Sequence, residues 1–314
     1  MSSTLPAEVL YGINTIYCVR CEDRLMQCRI KGKVLGRQKR EGRSYNPIAP
    51  GDRVAVIPDP LSTREGLIVE VLERKSSLTR WNKKGRATQV LAANADLAVC
   101  VSSPGSPPFR PRFIDRLAVA AEAGGLEPVV VLNKADLPCP SEIRERLEHY
   151  KRMGYRVLTC SARSGEGIVA LREALQGKTA VLVGQSGVGK SSILNSMSPA
   201  LQLKVGELSQ KHDRGSHTTN YSSLLLIEGD LRIIDTPGVR ELELAEILPE
   251  EVGFHFRDFT PHSSGCEFQP CLHAGEPGCA VVRAVERGEI HADRYESYLR
   301  IVRELQDSER QGRG

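Results

Sequence analysis

Short apolar bursts, broken by glycine, proline and charge, fill the beginning of the chain. YGINTIYCV, LMQCRIKG, DRVAVI and REGLIVEVL read as strands. Arg53-Val54-Ala55-Val56-Ile57 shows the alternation of a half-buried strand. Pro47, Pro50-Gly51 and Pro58-Asp59-Pro60 punctuate them, so residues 1–75 are expected to close into a small β-barrel. Residues 76–92, SSLTRWNKKGRATQVLA, read as a basic, weakly structured linker in which Trp81 packs at a domain boundary.

From Asp96 the period changes. LAVCV, PVVVL, RVLTC and KTAVLV are buried-strand runs. They alternate with helical patterns over Arg112 to Ala123, SEIRERLEHYKRM and GIVALREALQ, and this alternation predicts a doubly wound parallel sheet within residues 93–245. Helical spacing sends Phe113, Ile114 and Leu117 to the core and leaves Asp115 and Arg116 for packing or docking. Residues 246–314 form a third unit. Its last helix runs through Tyr295, Tyr298, Leu299 and Val302, and the ERQGRG tail is expected to be disordered.

Composition adds limits. With 314 residues, 40% hydrophobic and 26% charged, the chain suits two or three globular units and not a fibrous or disordered protein. No apolar run reaches the length of a membrane helix, and MSSTLPAEVLYG lacks a signal-peptide pattern, so a cytoplasmic, monomeric protein without membrane contact is expected. Nine cysteines in that setting indicate thiols and a metal site in place of disulfides. The net charge of +4 is unevenly spread: residues 1–92 carry 17 Lys+Arg against 9 Asp+Glu, and the remainder 26 against 30. Much of the excess lies in Lys31 to Arg43, KGKVLGRQKREGR, a basic loop on the barrel suited to a nucleic-acid backbone.

The chemistry centres on Gly184-Gln185-Ser186-Gly187-Val188-Gly189-Lys190-Ser191, followed by Ser192 and a helical start. Its glycines let backbone N–H groups close around phosphate oxygens at a helix N-terminus. Lys190 is expected to reach the β- and γ-phosphates, and the Ser191 hydroxyl to ligate Mg2+. Upstream, Asn133-Lys134-Ala135-Asp136 follows PVVVL. A carboxylate at Asp136 can accept from both N–H donors on guanine's Watson–Crick edge, whereas adenine would leave it unpaired. The Lys134 stem can cover the base, and in Thr159-Cys160-Ser161-Ala162 the Ala162 N–H can meet the guanine carbonyl.

These base-reading segments precede the phosphate loop, the reverse of the usual order. The chain thereby resembles the circularly permuted GTPases of the RsgA family, small-ribosomal-subunit assembly factors, over about residues 10 to 300. The resemblance implies an OB-fold barrel docking on ribosomal RNA, a permuted P-loop GTPase domain binding GTP or GDP with Mg2+, and a C-terminal zinc-binding domain. The small ribosomal subunit and its rRNA are the implied partners. A nucleotide-gated RNA-binding module with incidental hydrolysis is the alternative.

Two switch segments follow the phosphate loop. GELSQKHDRGSHTTNY offers Thr218 or Thr219 as Mg2+ ligand and γ-phosphate sensor, with Thr219 the first choice. Asp235-Thr236-Pro237-Gly238 would hold Mg2+ through water at Asp235 and meet the γ-phosphate with the Gly238 N–H. Where many relatives place a water-orienting glutamine this chain has Val239, which makes His217 the local candidate for that task. Finally, Cys266, Cys271, His273 and Cys279 form C-x4-C-x-H-x5-C, a donor set suited to closed, structural zinc, and the family's zinc motif matches at all four. His255 and His262 are outside candidates. Cys18, Cys21 and Cys28 lie on strands where residues three apart face opposite ways, so they are expected to remain thiols.

Overall fold

The computed structural model describes residues 4–32, 45–203, 221–228, 230–236, 239 and 241–310. Five strands open the chain: β1 (Leu5–Ile13), β2 (Ile16–Cys21), β3 (Arg24–Ile30), β4 (Arg53–Pro58) and β5 (Glu65–Val71). They pair in the order β1-β2-β3-β5-β4, and β4 returns to β1 to close the barrel. The β3–β5 pairing is parallel and the other pairings antiparallel. This is the expected OB-type barrel. Val9, Val19, Met26, Cys28, Val54 and Ile68 fill it. YGINTIYCV is not one strand as its composition suggests. Asn14 adopts φ 58°, and the chain reverses there between β1 and β2, because asparagine tolerates the left-handed region that a tight hairpin requires. Cys18 faces the core shared with the next domain while Cys21 and Cys28 face the barrel interior, so the three thiols do not converge.

Residues 76–92 are not a loose linker. β6 (Ser77–Asn82) and β7 (Ala87–Ala93) form an antiparallel hairpin. Its charged tip hides a strong inward pattern: Leu78, Val90, Leu91 and Ala92 are buried. The Trp81 N–H donates to the Glu243 carbonyl at 2.9 Å, so this residue does stand where segments meet.

The central sheet comprises β8 (Leu97–Ser102), β9 (Glu127–Leu132), β10 (Arg156–Thr159), β11 (Thr179–Val183), β12 (Ser223–Ile227) and β13 (Leu231–Asp235). Its order is β10-β9-β8-β11-β13-β12, parallel except for the edge strand β12. Helices α1 (Pro111–Ala123) and α2 (Ser141–Arg152) cover one face, with Ile114, Leu117, Leu147 and Tyr150 buried. Helices α3 (Ile168–Leu175) and α4 (Lys190–Met197) cover the other, with Leu171, Leu175, Ile193 and Leu194 buried. Strand β8 serves both: Leu97, Val99 and Val101 face one layer, Ala98 and Cys100 the other. Near-continuous burial of this kind is what a parallel strand covered on both sides demands. Tyr11 pairs with Ser223, bringing the barrel against the free edge of β12.

The C-terminal part carries α5 (Thr260–Ser263), α6 (Ala280–Glu286) and the long α7 (Ala292–Arg310). Tyr298, Ile301, Val302 and Leu305 pack toward α1, α2 and the aromatic pair Phe256–Phe259, in one core with Ile114 and Leu117. Asp115 and Arg116 dock this helix. Arg294, fully buried, donates to Asp115 at 2.6 Å and to Asp258 at 2.9 Å, and Arg116 makes a two-pronged pair with Glu304. No helix among the described residues is long and apolar enough to cross a membrane.

Candidate nucleotide site and metal centre

Strand β11 sits in the middle of the sheet, so the turn leaving it opens at the carboxyl edge where open α/β sheets bind ligands. Gly187 and Gly189 take φ 82° and 97°, which only glycine adopts readily, and a Cβ on Gly189 would stand 2.3 Å from the Asn133 amide nitrogen. Gly184 is as tight, since its Cβ would meet the Val101 carbonyl at 2.5 Å. The loop then enters α4 with Lys190, Ser191 and Ser192 in the first turn.

The permuted segments do converge. Asn133 donates from Nδ2 to the Val188 carbonyl at 2.8 Å and accepts at Oδ1 from the Ala162 N–H at 3.1 Å. One buried amide thus holds three sequence-distant loops in register. Here the Ala162 N–H is engaged by that amide. The Lys134 ammonium donates to the Gly187 and Ser106 carbonyls, so its stem lies across the space between phosphate loop and base-reading loop. Asp136 is held by the Ser161 hydroxyl at 2.6 Å, which with the Arg163 guanidinium beside it keeps its carboxyl below the usual carboxylate range. An ionised acceptor pair is what a guanine edge requires.

At the phosphate end Lys190 is buried and donates to the Gly184 carbonyl at 2.7 Å. Burial lowers its pKa, and burial raises that of Asp235 to about 6, with Lys190 opposing the rise. Asp235 Oδ1 is buried and has no hydrogen-bond partner among the described residues. A lysine short of anions beside an orphaned carboxylate oxygen is electrostatically incomplete. A phosphate chain with Mg2+ would supply both missing charges, and Ser191, also buried, follows Lys190 at the start of α4. The next residue, Thr236, ties β13 to β11 through the Leu182 carbonyl at 2.7 Å. Val239 is 2% exposed and packs in the core with Leu242; it orients no water. His217, Thr218, Thr219 and Gly238 lie outside the described residues.

Sequence reasoning missed the loop between β8 and α1. Ser106 receives Lys134, and the Pro108 carbonyl receives Gln185 Nε2 at 3.4 Å. Its S-P-G-S-P-P composition signals an ordered turn but does not say against what it turns.

Cys266, Cys271, His273 and Cys279 also come together, with ligand atoms all within 4.8 Å of one another. His273 Nδ1 lies 3.5 Å from the sulfurs of both Cys266 and Cys279, and those sulfurs are 4.0 Å apart. A tetrahedron with Zn–S of about 2.3 Å and Zn–N of about 2.05 Å has S···N edges of about 3.5 Å and S···S edges of about 3.8 Å. The donor set and its spacing fit zinc. His262 instead faces Glu289 at 3.7 Å, and neither it nor His255 joins the cluster.

A family model for the RsgA GTPase matches residues 71–245. The small ribosomal subunit biogenesis GTPase RsgA of Borreliella burgdorferi (strain ZS7) is 37% identical over 305 residues, 96% of this chain and 97% of that protein. This chain belongs to the RsgA GTPase family. The RsgA of Chlorobaculum parvum is 38% identical, with 98% of this chain and 100% of that protein covered. Among solved structures, YjeQ from Thermotoga maritima superposes with a TM-score of 0.74 at 33% identity, covering 97% of this chain and 99% of that one. YloQ, a circularly permuted GTPase, gives 0.70 at 29%, covering 97% and 96%. As an RsgA GTPase the chain is a GTP-hydrolysing enzyme. The family implies GTP or GDP with Mg2+ as ligands, and the loops stapled by Asn133 are where this chain would hold them. The match also starts at residue 71, ahead of the β6–β7 hairpin.

Proposed function

We propose that this protein binds the small ribosomal subunit and its rRNA, assists late maturation, and hydrolyses GTP to leave it. The supporting observation is the combination of near-full-length similarity to proteins named for small-subunit biogenesis with a site in which Asp136, Lys134 and the phosphate loop face one space. In this reading the barrel of residues 1–75, the GTPase unit of 93–245 and the zinc unit of 246–314 share the work, the hairpin of 76–92 bracing the second against the third. The protein works in the cytoplasm as a monomer. The basic stretch Lys31 to Arg43 holds RNA; residues 33–44 lie outside the described residues.

Asp136 reads the guanine edge, Lys134 covers the base, and Lys190 with the glycine N–H groups of the phosphate loop neutralises the β- and γ-phosphates. Ser191, Asp235 and Thr218 or Thr219 would hold Mg2+, which would supply positive charge against the charge that grows on the leaving phosphate. With Val239 in place of a polar side chain, water is oriented by His217 or by the ribosome. Turnover alone is then slow, on the order of 10⁻⁴ to 10⁻² s⁻¹. GTP turnover with and without purified small subunits, with ATP as control, tests this. Stimulation by subunits with GTP alone is expected, and an unchanged rate defeats the reading.

A further inference from the structure

The three sulfurs of the zinc cluster are not equally shielded. The Cys266 sulfur accepts the Ala280 N–H at 3.4 Å and backs onto the Val281 N–H. Cys279 takes the Val281 and Val282 N–H groups at the same start of α6. Cys271 takes only one, from His273. Each N–H draws negative charge from a thiolate sulfur and weakens it as a nucleophile. Exposure sorts them too: Cys279 is 3% exposed, whereas Cys266 and Cys271 are half-buried. Of the three, only Cys271 combines solvent access with a thinly shielded sulfur.

The other cysteines offer an oxidant less. Cys18, Cys21, Cys28, Cys100 and Cys160 are buried, and burial pushes Cys28 up to about 11 and Cys100 and Cys160 up to about 12. Cys139 is half-buried, with its thiol turned to the Pro140 carbonyl at 3.7 Å. Zinc would hold Cys266, Cys271 and Cys279 deprotonated, and their sulfurs lie within 4.8 Å of one another. A sulfur oxidised at Cys271 thus has a second sulfur at hand. The loop of residues 271–276 has supports that need no metal. Tyr298 and Tyr295 donate to the Leu272 and His273 carbonyls, and the Glu276 carboxylate accepts the Leu272 and Ala274 N–H groups. Helix α7, which carries both tyrosines, is anchored by Arg294 to Asp115 and Asp258.

We propose that Cys271 is the entry point of a reversible redox switch, oxidised by hydrogen peroxide and closed as a disulfide with the half-buried Cys266. The Cys271 thiolate attacks one peroxide oxygen, the O–O bond breaks, and the departing hydroxide takes a proton to become water. The resulting sulfenic acid is attacked by the Cys266 thiolate. An S–S bond forms, the S–O bond breaks, and the oxygen leaves as hydroxide, which takes a proton to become a second water. Two electrons pass from the pair of sulfurs to the peroxide. His273 and Cys279 remain, two of the four donors that a closed zinc site needs, so the metal is given up. The start of α6 then loses its partner sulfur at Cys266, while the 271–276 loop and α7 keep their own bonds. The response is confined to α6 and its flank, which leaves a folded disulfide for a thiol reductant to reopen.

Zinc-loaded full-length protein, treated with hydrogen peroxide while dimedone traps sulfenic acids, tests the switch. Mass spectrometry at early times is expected to find dimedone on Cys271 ahead of Cys266 and Cys279. Without dimedone, the Cys266–Cys271 disulfide should appear in its place. A metal-sensitive dye should read the loss of about one zinc per chain in step with that disulfide. Hydrogen exchange should rise in α6 and stay level around Arg294, and dithiothreitol with added zinc should restore both metal and protection. Cys271→His keeps four donors but removes the reactive sulfur, and zinc release should slow by at least about tenfold. If that variant holds no zinc by atomic absorption, the order of labelling in the unmodified protein decides. Three results would overturn the switch: dimedone first on Cys266 or Cys279, zinc lost without oxidation of Cys271, or a loss that dithiothreitol and zinc do not reverse. Exchange that rises around Arg294 as well would overturn its confinement to α6.

Discussion

Replacing Asp115 with alanine tests the anchor most directly. Its carboxylate is fully buried and accepts from Arg294 at 2.6 Å, the Tyr150 hydroxyl at 2.7 Å and Arg146 at 2.9 Å. The consequences for the three donors differ. Tyr150 keeps the Pro111 carbonyl and Arg294 keeps Asp258. Arg146 keeps no partner of comparable strength, only the face of the Tyr150 ring at 5.2 Å and a distant carboxylate. Its Nε and Nη1 already lack partners among the described residues, and Asp293 stands 3.8 Å away. The variant therefore strands a buried guanidinium, and breaking a buried pair from one side costs about 3–5 kcal/mol. At about 2–4 °C per kcal/mol for a unit of this size, the thermal midpoint should fall by about 6–20 °C. Calorimetry on the GDP-bound protein reads the shift. Asp115→Leu combined with Arg146→Leu removes both charges and should recover most of it, because an apolar pair replaces a buried ion pair at little cost. A fall below about 2 °C in the single variant would refute the view that this cluster bolts α7 to α1.

Three further outcomes are expected. Asp136→Asn exchanges a double acceptor for a group that also donates; GTP affinity by calorimetric titration should fall about 10²- to 10⁴-fold while xanthosine triphosphate, with a carbonyl in place of the amine, gains. Burial raises Asp235 to about 6 from an ordinary value of 3.8. The folded state thus binds that proton more tightly, and the stabilisation it gives the nucleotide-free protein is lost as pH rises through about 6. Melting midpoints between pH 5 and 7 should fall with pH in the unmodified protein and stay level in Asp235→Asn, whereas affinity for Mg2+ with GTP should rise over the same window. The C-terminal module should contain one zinc per chain by atomic absorption, and its removal by chelator, or Cys279→Ser, should collapse exchange protection in α6, since structural zinc contributes about 10–16 kcal/mol.

Some features could be read in advance because their cause is local. A phosphate loop needs glycines at fixed offsets and a lysine at the helix start, so Gly187, Gly189 and Lys190 announce it wherever it falls in the chain. Four candidate zinc donors lie within fourteen residues, 266 to 279, and bringing them together requires nothing from elsewhere. The misreadings share a different cause. In YGINTIYCV the apolar run hid a turn because asparagine satisfies both strand-like and left-handed readings. In residues 76–92 the lysines of the hairpin tip outweighed Leu78, Val90 and Leu91, whose burial depends on α1 and on the segment after β13.

The least legible features are contacts between segments far apart in the chain. Asn133 is meaningful only beside Val188, 55 residues on, and Asp115 only beside Arg294, 179 residues on. Each side chain taken singly is ordinary: a loop amide, a helix carboxylate. Their value comes from burial at a meeting of distant segments, where an unmatched partner costs more than the matched pair contributes. Cutting a nucleotide-binding sheet between β13 and β8 leaves the site whole, since β11 stays central and Asn133 still staples its loops. It also frees the chain after β13 to run past the hairpin and under Arg116 toward the zinc module. In an unpermuted chain that strand end would lead back into the sheet through β8. Here it leads out, past the β6–β7 hairpin at Glu243 and α1 at Leu242.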